Sequence, residues 1–294
     1  MRCLVTGSSG FLGSHMVERL EKEGHAVLGL DTRESEWTDI LWEIDNPQYV
    51  LDLHTDWVFH FAGLAAIPPS FERPAEYMAV NVQGTANVLE AARKAGANRF
   101  IYAASGTCYG HSPKMPTPEN WTHISLPESP YALSKYLGEM LVGHWDEHYD
   151  LPAVCLRLFS PFGPRMSAGT SAMGTFIKLA RENKPIMITG DGEQFRDMHY
   201  VDDCIEAFYR AAQSDIRSWE DQPAVINIGS GERITINRLV RAIIKETGST
   251  SPIEYIPARK EAPGTHADIS LAKRLLGWEP TVGFEEGIRR TVSA

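Results

Sequence analysis

Residues 4–13 read LVTGSSGFLG, an apolar run that leads directly into a turn containing Gly7, Gly10 and Gly13. Glycine at these positions allows the backbone to turn tightly, to approach a pyrophosphate and to pack a helix closely against a strand. The amide groups that begin the following helix would face the anion. The stretch therefore predicts a strand, a phosphate-binding turn and a helix, which together are typical of a dinucleotide site.

The next strand-like run, AVLGLD, ends on Asp31. A carboxylate there can accept hydrogen bonds from the adenosine ribose and repels a 2′-phosphate, which favours NAD over NADP. Arg33 leaves the alternative open, because a guanidinium could bind the 2′-phosphate of NADP. Asp45 closes a plausible third strand, where it could reach the adenine amino group or simply cap the helical turn that follows.

The first 160 residues alternate strand-like runs with helical patterns, which predicts a parallel sheet covered on both faces. The strand-like runs are 2–6, 26–30, 57–62, 99–104 and 153–159, and the helical patterns are 11–23, 46–53, 75–95 and 131–149. Beyond residue 160 a stretch rich in Gly, Pro and Ser precedes shorter elements. We expect an α/β protein with a Rossmann-type doubly wound sheet in 1–160, to which segments near 196–230 return. Residues 161–294 would form a smaller, mainly substrate-binding α/β region.

The composition is that of an ordinary globular chain, with 43% hydrophobic residues and a formal net charge of −10 among 294 residues. An acidic chain lacks the positive field that nucleic-acid binding requires, and no apolar run approaches the roughly 18 residues of a membrane span. We therefore expect no nucleic-acid partner and no membrane contact.

Cysteine and histidine spacing gives no sign of a metal site. The four cysteines are far apart without a CxxC pair, which favours core residues in a reduced, cytoplasmic protein. His144 and His148 form a helical pair without the Glu of a zinc-protease helix. We expect no bound metal and histidines that lie mostly at the surface.

A Tyr and a Lys four residues apart occur in the segment SPYALSK, at Tyr131 and Lys135. On a helix they lie one above the other, and Pro130 suits its first turn. A phenol with a pKa of about 10 is a poor base, but a nearby ammonium and a bound nicotinamide cation favour the phenolate. The pair could take a proton from a sugar hydroxyl while the cofactor takes hydride from the same carbon. Alone, it could equally be a solvated pair on a helix surface.

In combination, these features resemble the extended short-chain dehydrogenase/reductase family, in particular its nucleotide-sugar epimerases and dehydratases of the UDP-glucose 4-epimerase type. The resemblance spans nearly the whole chain and is carried by TGSSGFLG, VFHFAG, NVQGTANVLEAA, YAASGTCYG, SPYALSK, RLFSPFGPR, GDGEQFRDMHYVDD, NIGSGE and LLGWEP. It implies NAD as the cofactor and a nucleotide sugar, most simply a UDP-sugar, as the substrate. It also implies a homodimer formed through the helices at 75–95 and 131–149.

The same resemblance assigns roles to individual residues. The catalytic group would be Tyr131 as the base, Lys135 as its modulator and ribose anchor, and Ser105 and Thr107 as sugar-facing hydroxyls. The cofactor would contact Gly7, Gly10, Phe11, Leu12, Gly13, Asp31, Arg33, Asp45, Phe61, Ala62, Gly63, Asn81, Tyr131 and Lys135. The substrate would contact Ser105, Gly106, Thr107, Ser160, Arg196 and Arg259. Of these, Arg196 matches the arginine that binds the nucleotide diphosphate, a task suited to a guanidinium, and Arg259 is a weaker match.

The chain departs from the family pattern at two places. Ser160 stands where the family usually has an Asn that touches the substrate. The segment between the second and third strands, DTRESEWTDILWEID, is shorter than in many relatives, so we expect looser contacts with the adenosine.

The residues after Ser105 indicate which reaction is favoured. Family members that eliminate water resemble one another in carrying a Glu at the position of Thr107 and often an Asp at that of Gly106, because elimination needs a carboxylate acid and base. Epimerisation at C4 needs only one base, one cofactor and a pocket in which the 4-ketose can turn. An NAD-dependent UDP-hexose 4-epimerase is therefore predicted.

Other readings remain open in the sequence. A nucleotide-sugar 4-ketoreductase would use the same residues, and a 4,6-dehydratase belongs to the same family. A protein that binds NAD(H) only as a sensor is disfavoured, because the Tyr, the Lys and Ser105 occur together. Cys108 aligns one residue beyond the cysteine of relatives that invert two centres, and in a strand it would point to the opposite face.

Overall fold

The chain is represented by a computed structural model that describes residues 1–46, 54–112, 114–121, 127–168, 171–219, 225–258 and 264–294. The strands in these ranges are β1 (Arg2–Thr6), β2 (Ala26–Asp31), β3 (Ile40–Leu41), β4 (Trp57–His60), β5 (Arg99–Ser105), β6 (Ala153–Leu158), β7 (Pro161–Phe162), β8 (Ile186–Thr189), β9 (Phe195–Arg196), β10 (His199–Tyr200), β11 (Val225–Ile228), β12 (Ile234–Thr235) and β13 (Ile253–Ile256). The predicted helix at 46–53 lies almost wholly outside the described residues.

The helices complete an alternating α/β order. They are α1 (Phe11–Lys22), α2 (Ile67–Glu72), α3 (Pro74–Met78), α4 (Gly84–Lys94), α5 (Pro130–His148), α6 (Ala172–Arg181), α7 (Val201–Gln213), α8 (Ile236–Thr247), α9 (Ser270–Leu276) and α10 (Phe284–Ser293). A π-helical turn, Ala79–Gln83, joins α3 to α4, and short 3₁₀ turns cover Gly106–Tyr109 and Ile216–Ser218.

Seven parallel strands form the central sheet, in the order β11-β6-β5-β4-β1-β2-β3. Each strand sends alternate residues to opposite faces, and both faces are packed. Phe59, Ile101 and Leu156 belong to the core on one face, whereas Val58 and Phe100 belong to the core on the other. Burial on both faces explains the nearly continuous apolar strand sequences. The predicted Rossmann-type, doubly wound parallel sheet is confirmed.

The sheet also receives β11, which pairs with β6 although the chain has left the sheet for more than sixty residues in between. The smaller elements pair outside it, β7 with β10, β8 with β13 and β9 with β12. The fully buried Asp197 accepts hydrogen bonds from the backbone N–H groups of Ser230, Gly231 and Ala267. This carboxylate therefore ties three separate segments together.

Two boundaries differ from the sequence prediction. The helix expected over 75–95 is interrupted at the π-helical turn, which adds a local bulge to its middle. The third strand is confined to Ile40–Leu41, because it pairs only with Leu30 and Asp31 at the end of β2. Asp45 therefore does not close a strand but lies half-buried in a turn four residues beyond it.

The structure adds two findings about other predicted features. All four cysteines are free and buried. In the described ranges, no helix combines the length and apolar character needed to cross a membrane.

Candidate active site

The glycine turn has the shape that a pyrophosphate site needs. Gly7 has φ of +74°, and a Cβ there would lie 2.7 Å from the backbone N of Ala62. A Cβ on Gly13 would collide with the carbonyl oxygen of Gly7. Side chains would therefore break the close packing of the turn on α1 and on the segment after β4.

The first turn of α1 is left open to an anion. In the described part of the chain no side chain caps this helix at Gly10, and its first turn contains no acidic residue. By contrast, Ser129 and Ser171 cap α5 and α6 with their hydroxyls. Uncapped amides at a helix start carry partial positive charge and suit a phosphate group. Phe11 and Leu12, in this first turn, are half-buried beside it.

Asp31 ends β2 with its carboxylate directed at the same turn. Its two oxygens accept hydrogen bonds from the backbone N–H groups of Ser9 (3.0 Å) and Arg33 (3.0 Å). The guanidinium of Arg33 lies beside it, with Nε 3.5 Å from Oδ1, and donates to the carbonyl of Ser9. The mostly exposed Arg33 therefore partly offsets the negative charge that would repel a 2′-phosphate.

The shortened segment after β2 is held firmly against the glycine turn. The hydroxyl of Ser9 lies 2.6 Å from those of Ser35 and Thr38. Trp37 lies under the guanidinium of Arg165, at 4.9 Å, and Arg165 forms two hydrogen bonds with Glu18 on α1. These contacts order the segment itself, and the expectation of looser contacts with the adenosine stays a prediction.

The segment after β4 is fastened to the π-helical turn by Asn81. The amide side chain of Asn81 accepts from the backbone N–H of Leu64 (2.8 Å) and donates to its carbonyl (3.0 Å) and to the hydroxyl of Ser134 on α5 (2.8 Å). A Cβ on Gly63 would lie 2.9 Å from Asn81 Oδ1 and 3.7 Å from Lys135 Nζ. Ala62 and Gly63 thus border the Tyr/Lys helix, whereas Phe61 turns its ring to Phe208, at 4.6 Å, on the opposite face.

Behind this segment is a buried chain of hydrogen bonds that the sequence did not predict. The hydroxyl of Thr85 donates to the carbonyl of Asn81 (2.6 Å), so it can only accept from Nε2 of His60 (3.0 Å). His60 Nδ1 then accepts from the hydroxyl of Thr6 (2.6 Å), which in turn accepts from the N–H of Ala62 (3.3 Å). These directions fix one neutral tautomer of the imidazole.

Burial and the charge of Lys135 lower the pKa of His60 to about 3, consistent with that neutral form. His60 and His199 are both buried, which corrects the expectation of surface histidines. The signal available for His60 was its place inside the apolar run WVFHFA.

Ser105 and Thr107 lie at the carboxyl end of β5, where their hydroxyls are 2.9 Å apart. The chain turns into a 3₁₀ helix immediately after Ser105, whose hydroxyl also accepts from the N–H of Thr107. Cys108 is therefore in a helical turn and not in a strand, and its sulfur faces inward toward the carboxylate of Glu139 at 3.6 Å. Burial raises the pKa of this thiol well above its ordinary value, so it is a poor acid-base group.

Tyr131 and Lys135 lie on the first turns of α5, facing Ser105. Burial raises the pKa of Tyr131 to about 12, although the neighbouring hydroxyl of Ser105 acts in the opposite direction. Burial likewise lowers the pKa of Lys135 to about 8. Its ammonium donates to the carbonyl of Ala103 (2.9 Å). Burial therefore dominates the pKa of Tyr131 and acts against the lowering that the sequence predicts from the ammonium.

The space beside Gly106 is filled by an aromatic ring. A Cβ on Gly106 would lie 2.9–3.0 Å from three ring atoms of Phe159, closer than real Cβ contacts. Next to Phe159, the exposed Ser160 has φ of +43°, a conformation that Asn tolerates better than Ser. In the described residues, no carboxylate forms a hydrogen bond with Ser105, Thr107, Tyr131 or Lys135.

A buried ion pair packs beneath the 3₁₀ turn Gly106–Tyr109. Arg157 donates to both carboxylate oxygens of Glu139, at 2.8 and 2.7 Å, and each side chain is only 3% exposed. The guanidinium also lies 4.6 Å from the ring of Tyr109, whose hydroxyl donates to Asn227 on β11. This network was missed because the sequence does not show that Glu139, one turn beyond Lys135, faces inward.

The predicted diphosphate-binding residues are only partly described. Arg196 ends β9, half-buried, and donates to the carbonyl of Phe195 at 2.9 Å. Arg259 lies outside the described residues. Within the described ranges, no cluster of three or more His, Cys, Asp or Glu residues could hold a metal ion.

Comparison with known proteins gives consistent results. Residues 3–229 match the profile of the NAD dependent epimerase/dehydratase family. The chain is 34% identical to a UDP-glucuronate 4-epimerase of Thermodesulfobacterium geofontis, over 99% of this chain and 94% of that protein.

Two solved structures show the same fold over the whole chain. The first is a UDP-glucose 4-epimerase of Thermotoga maritima with UDP-glucose, at 31% identity and a TM-score of 0.91, covering 100% of this chain and 98% of that one. The second is a UDP-glucuronic acid 4-epimerase of Bacillus cereus in complex with UDP-glucuronic acid and NAD, at 30% identity and a TM-score of 0.87, with the same coverage. The chain therefore belongs to the NAD-dependent epimerase/dehydratase family and is an enzyme of the extended short-chain dehydrogenase/reductase type.

Proposed function

We propose that the protein is a 4-epimerase of a UDP-hexose, with Tyr131 as its base. The observation that carries the proposal is the combination of Ser105, Thr107, Tyr131 and Lys135 at one edge of the sheet with a Phe159 ring that leaves no room for a side chain at position 106 unless the ring shifts. The site thus has groups for oxidation and reduction at a carbinol carbon, and among the described residues no carboxylate bonds to them as elimination would require.

Each residue has a defined task in this proposal. Ser105 and Thr107 hold the C4 hydroxyl of the sugar against Tyr131, which takes its proton and later returns it. The buried ammonium of Lys135 stabilises the phenolate form and the cofactor ribose. A bound NAD would supply a hydride acceptor and donor for C4 of the sugar, and its positively charged oxidised ring would favour the phenolate of Tyr131.

The residues around the cleft suit NAD. The glycine cradle at Gly7 and Gly13, the open start of α1 and the carboxylate of Asp31 would hold its pyrophosphate and adenosine ribose. Asp45, Phe61 and Arg33 contribute less directly, because Phe61 faces Phe208 and Arg33 is mostly exposed. Arg196 is proposed to bind the diphosphate of the sugar nucleotide. Gly106 and Ser160 would border the sugar.

We also propose that two copies associate through α5 and the helices beside it. Met140 on α5 is 57% exposed, and Ile67 and Phe71 on α2 are 41% and 61% exposed, so this side presents several apolar groups. The four buried free thiols suit the reducing cytoplasm in which we propose that the enzyme works. Light scattering should give twice the 32.7 kDa of one chain, and Met140→Glu should shift the mass toward the monomer. A monomeric wild-type protein would contradict the dimer.

The catalytic proposal is tested by proton NMR of UDP-glucose, UDP-glucuronate and UDP-N-acetylglucosamine incubated with purified protein without added cofactor. We expect one or more of them to equilibrate with its C4 epimer. Tyr131→Phe should abolish turnover while retaining the cofactor, because only the proton acceptor is lost. A 4-keto-6-deoxy product would instead identify a dehydratase. In a separate incubation of a UDP-4-keto-6-deoxyhexose with added reduced cofactor, oxidation of one cofactor for each ketone reduced would identify a ketoreductase.

A further inference from the structure

The ammonium of Lys135 is buried against the central sheet. The residue is only 6% exposed, and its Nζ donates to the carbonyl of Ala103. An ammonium has three donors and is strongly hydrated in water. Burial at this depth therefore requires other groups that stabilise the positive charge.

One such group is the ring of Tyr102, the neighbour of Ala103 on β5. Nζ of Lys135 lies 4.8 Å from the centroid of this ring, within the range in which a cation is attracted by the negative face of an aromatic system. Such attraction is strongest where water is excluded, and Tyr102 is fully buried.

The ring of Tyr102, and not its hydroxyl, is the part with an evident role. Among the described residues the phenolic oxygen has no hydrogen-bond partner, although buried tyrosine hydroxyls usually have one. Helix α5 accommodates the phenol at Gly138, where any Cβ would collide with the hydroxyl. Glycine is unfavourable inside a helix, so its presence is consistent with a requirement to admit this side chain.

His60 on β4 packs against the ring of Tyr102 on the neighbouring strand. Its imidazole stacks on Tyr102 with centroids 5.6 Å apart and an angle of 28°. Because the hydrogen-bond chain through Thr6 and Thr85 holds this imidazole neutral, it adds no second positive charge beside the ammonium.

We propose that Tyr102 is a positioning residue for Lys135: the face of its ring holds the ammonium, charged, at the depth from which it acts on Tyr131 and the cofactor. The proposal rests on the proposed function in one respect, that Lys135 stabilises the phenolate of Tyr131 and the cofactor ribose. The contact itself lies within the protein and can be tested without turnover.

Other ionisable groups also face Lys135 and must be kept constant in a test. They are Glu139 on α5, Cys108 in the 3₁₀ turn, His60 on β4 and Cys155 on β6. Tyr131 lies one helical turn before Lys135 on α5, and Arg157 on β6 pairs with Glu139. The charges of Glu139 and Arg157 compensate each other at hydrogen-bond distance. A change confined to the ring of Tyr102 leaves all of these groups in place.

The test measures the titration of Lys135 directly, by NMR of lysine labelled at Cε and Nζ in the full-length, cofactor-free protein, with the signal assigned through Lys135→Met. Tyr102→Phe keeps the ring face and should titrate as wild type. Its melting temperature should rise by about 2 °C, because the unpaired hydroxyl is gone. Tyr102→Leu removes the ring and should lower the midpoint by about one pH unit.

Two further variants separate a charge effect from a packing effect. Pentafluorophenylalanine at position 102 keeps the shape but reverses the polarity of the ring face, and should lower the midpoint at least as far as Tyr102→Leu. Phe100→Leu removes a fully buried ring from the same face of β5 and should leave the titration unchanged. In the active enzyme, Tyr102→Leu should lower kcat about tenfold with little change in KM.

The proposal is wrong if the fluorinated ring titrates as phenylalanine does, or if Tyr102→Phe moves the midpoint as far as Tyr102→Leu. If instead these midpoints move as expected while no UDP-sugar is epimerised, the ring contact stands and the proposed function fails.

Discussion

The hydrogen-bond chain from Thr6 to Asn81 makes a sharp prediction at Thr85. Thr85→Val is nearly isosteric but removes a hydroxyl that accepts from His60 and donates to the Asn81 carbonyl, at 3.0 and 2.6 Å. Thr85 is 1% exposed, so water cannot replace the hydroxyl. Each buried group left without a partner costs about 1–3 kcal/mol, and we expect a loss of roughly 2–4 kcal/mol of unfolding free energy.

The matched control is Thr85→Ser, which keeps the hydroxyl and loses only a buried methyl group, at a cost of about 1 kcal/mol. Urea unfolding of both variants measures the difference. Because Asn81 fastens the segment 61–64 through Leu64, Thr85→Val should also release bound nucleotide on gel filtration more readily than Thr85→Ser. Equal stability and equal nucleotide content in the two variants would refute the proposed donor and acceptor directions at Thr85 and His60.

Three further predictions concern charges and space around the site. In the cofactor-free protein, Lys135→Met should be more stable than wild type at neutral pH by roughly 3 kcal/mol, because the pKa of Lys135 falls to about 8 on burial, from about 10.4 unfolded. The penalty of burying the charge is complete below pH 8 and fades as pH rises to about 10.4. The melting temperatures of wild type and Lys135→Met should therefore differ at pH 7 and converge at pH 10.5. A difference that stays constant with pH would contradict the lowered pKa of Lys135. Glu139→Gln alone should lower the free energy of unfolding by about 3–5 kcal/mol, because it leaves Arg157 charged and unpaired. The double variant Glu139→Leu with Arg157→Met should lose much less. Equal losses in chemical unfolding would show that the two charges do not compensate each other. Gly106→Asp with Thr107→Glu should not produce a 4-keto-6-deoxy sugar by NMR, because the Phe159 ring occupies the space of the Asp; its formation would show that space is not what excludes dehydration.

The parts of this protein that sequence predicted well are those with a local cause. The glycine turn, the acidic end of β2 and the Tyr/Lys pair are each specified by neighbouring residues, since backbone conformation and helical periodicity depend on short spacings. Alternating strands and helices also predicted the covered parallel sheet, which the structure confirms. The NAD-dependent epimerase class is likewise confirmed by the family match.

The parts that it did not predict depend on contacts between distant segments. Arg157 and Glu139 pair across 18 positions, and Thr6 meets His60 across 54. Periodicity does not show whether a polar residue in an apolar element has such a partner, so nothing in the sequence separated His60 from the histidines expected at the surface. The prediction that Asp45 closes a strand was wrong for a related reason. The length of β3 depends on its pairing with Leu30 and Asp31 of β2, and the sequence around Asp45 does not show this pairing. The assignments of individual site residues and the division at residue 160 stay predictions.

The central claim is that oxidation at C4 is reversed at the same carbon by a cofactor that never leaves. The most direct measurement uses a UDP-hexose, one that the NMR assay shows to react, carrying deuterium at C4, incubated with purified protein and an excess of unlabelled reduced and oxidised cofactor. The account predicts that the label remains at C4 in both epimers at equilibrium. Deuterium lost to the added cofactor pool, or hydrogen from the pool gained at C4, would contradict it.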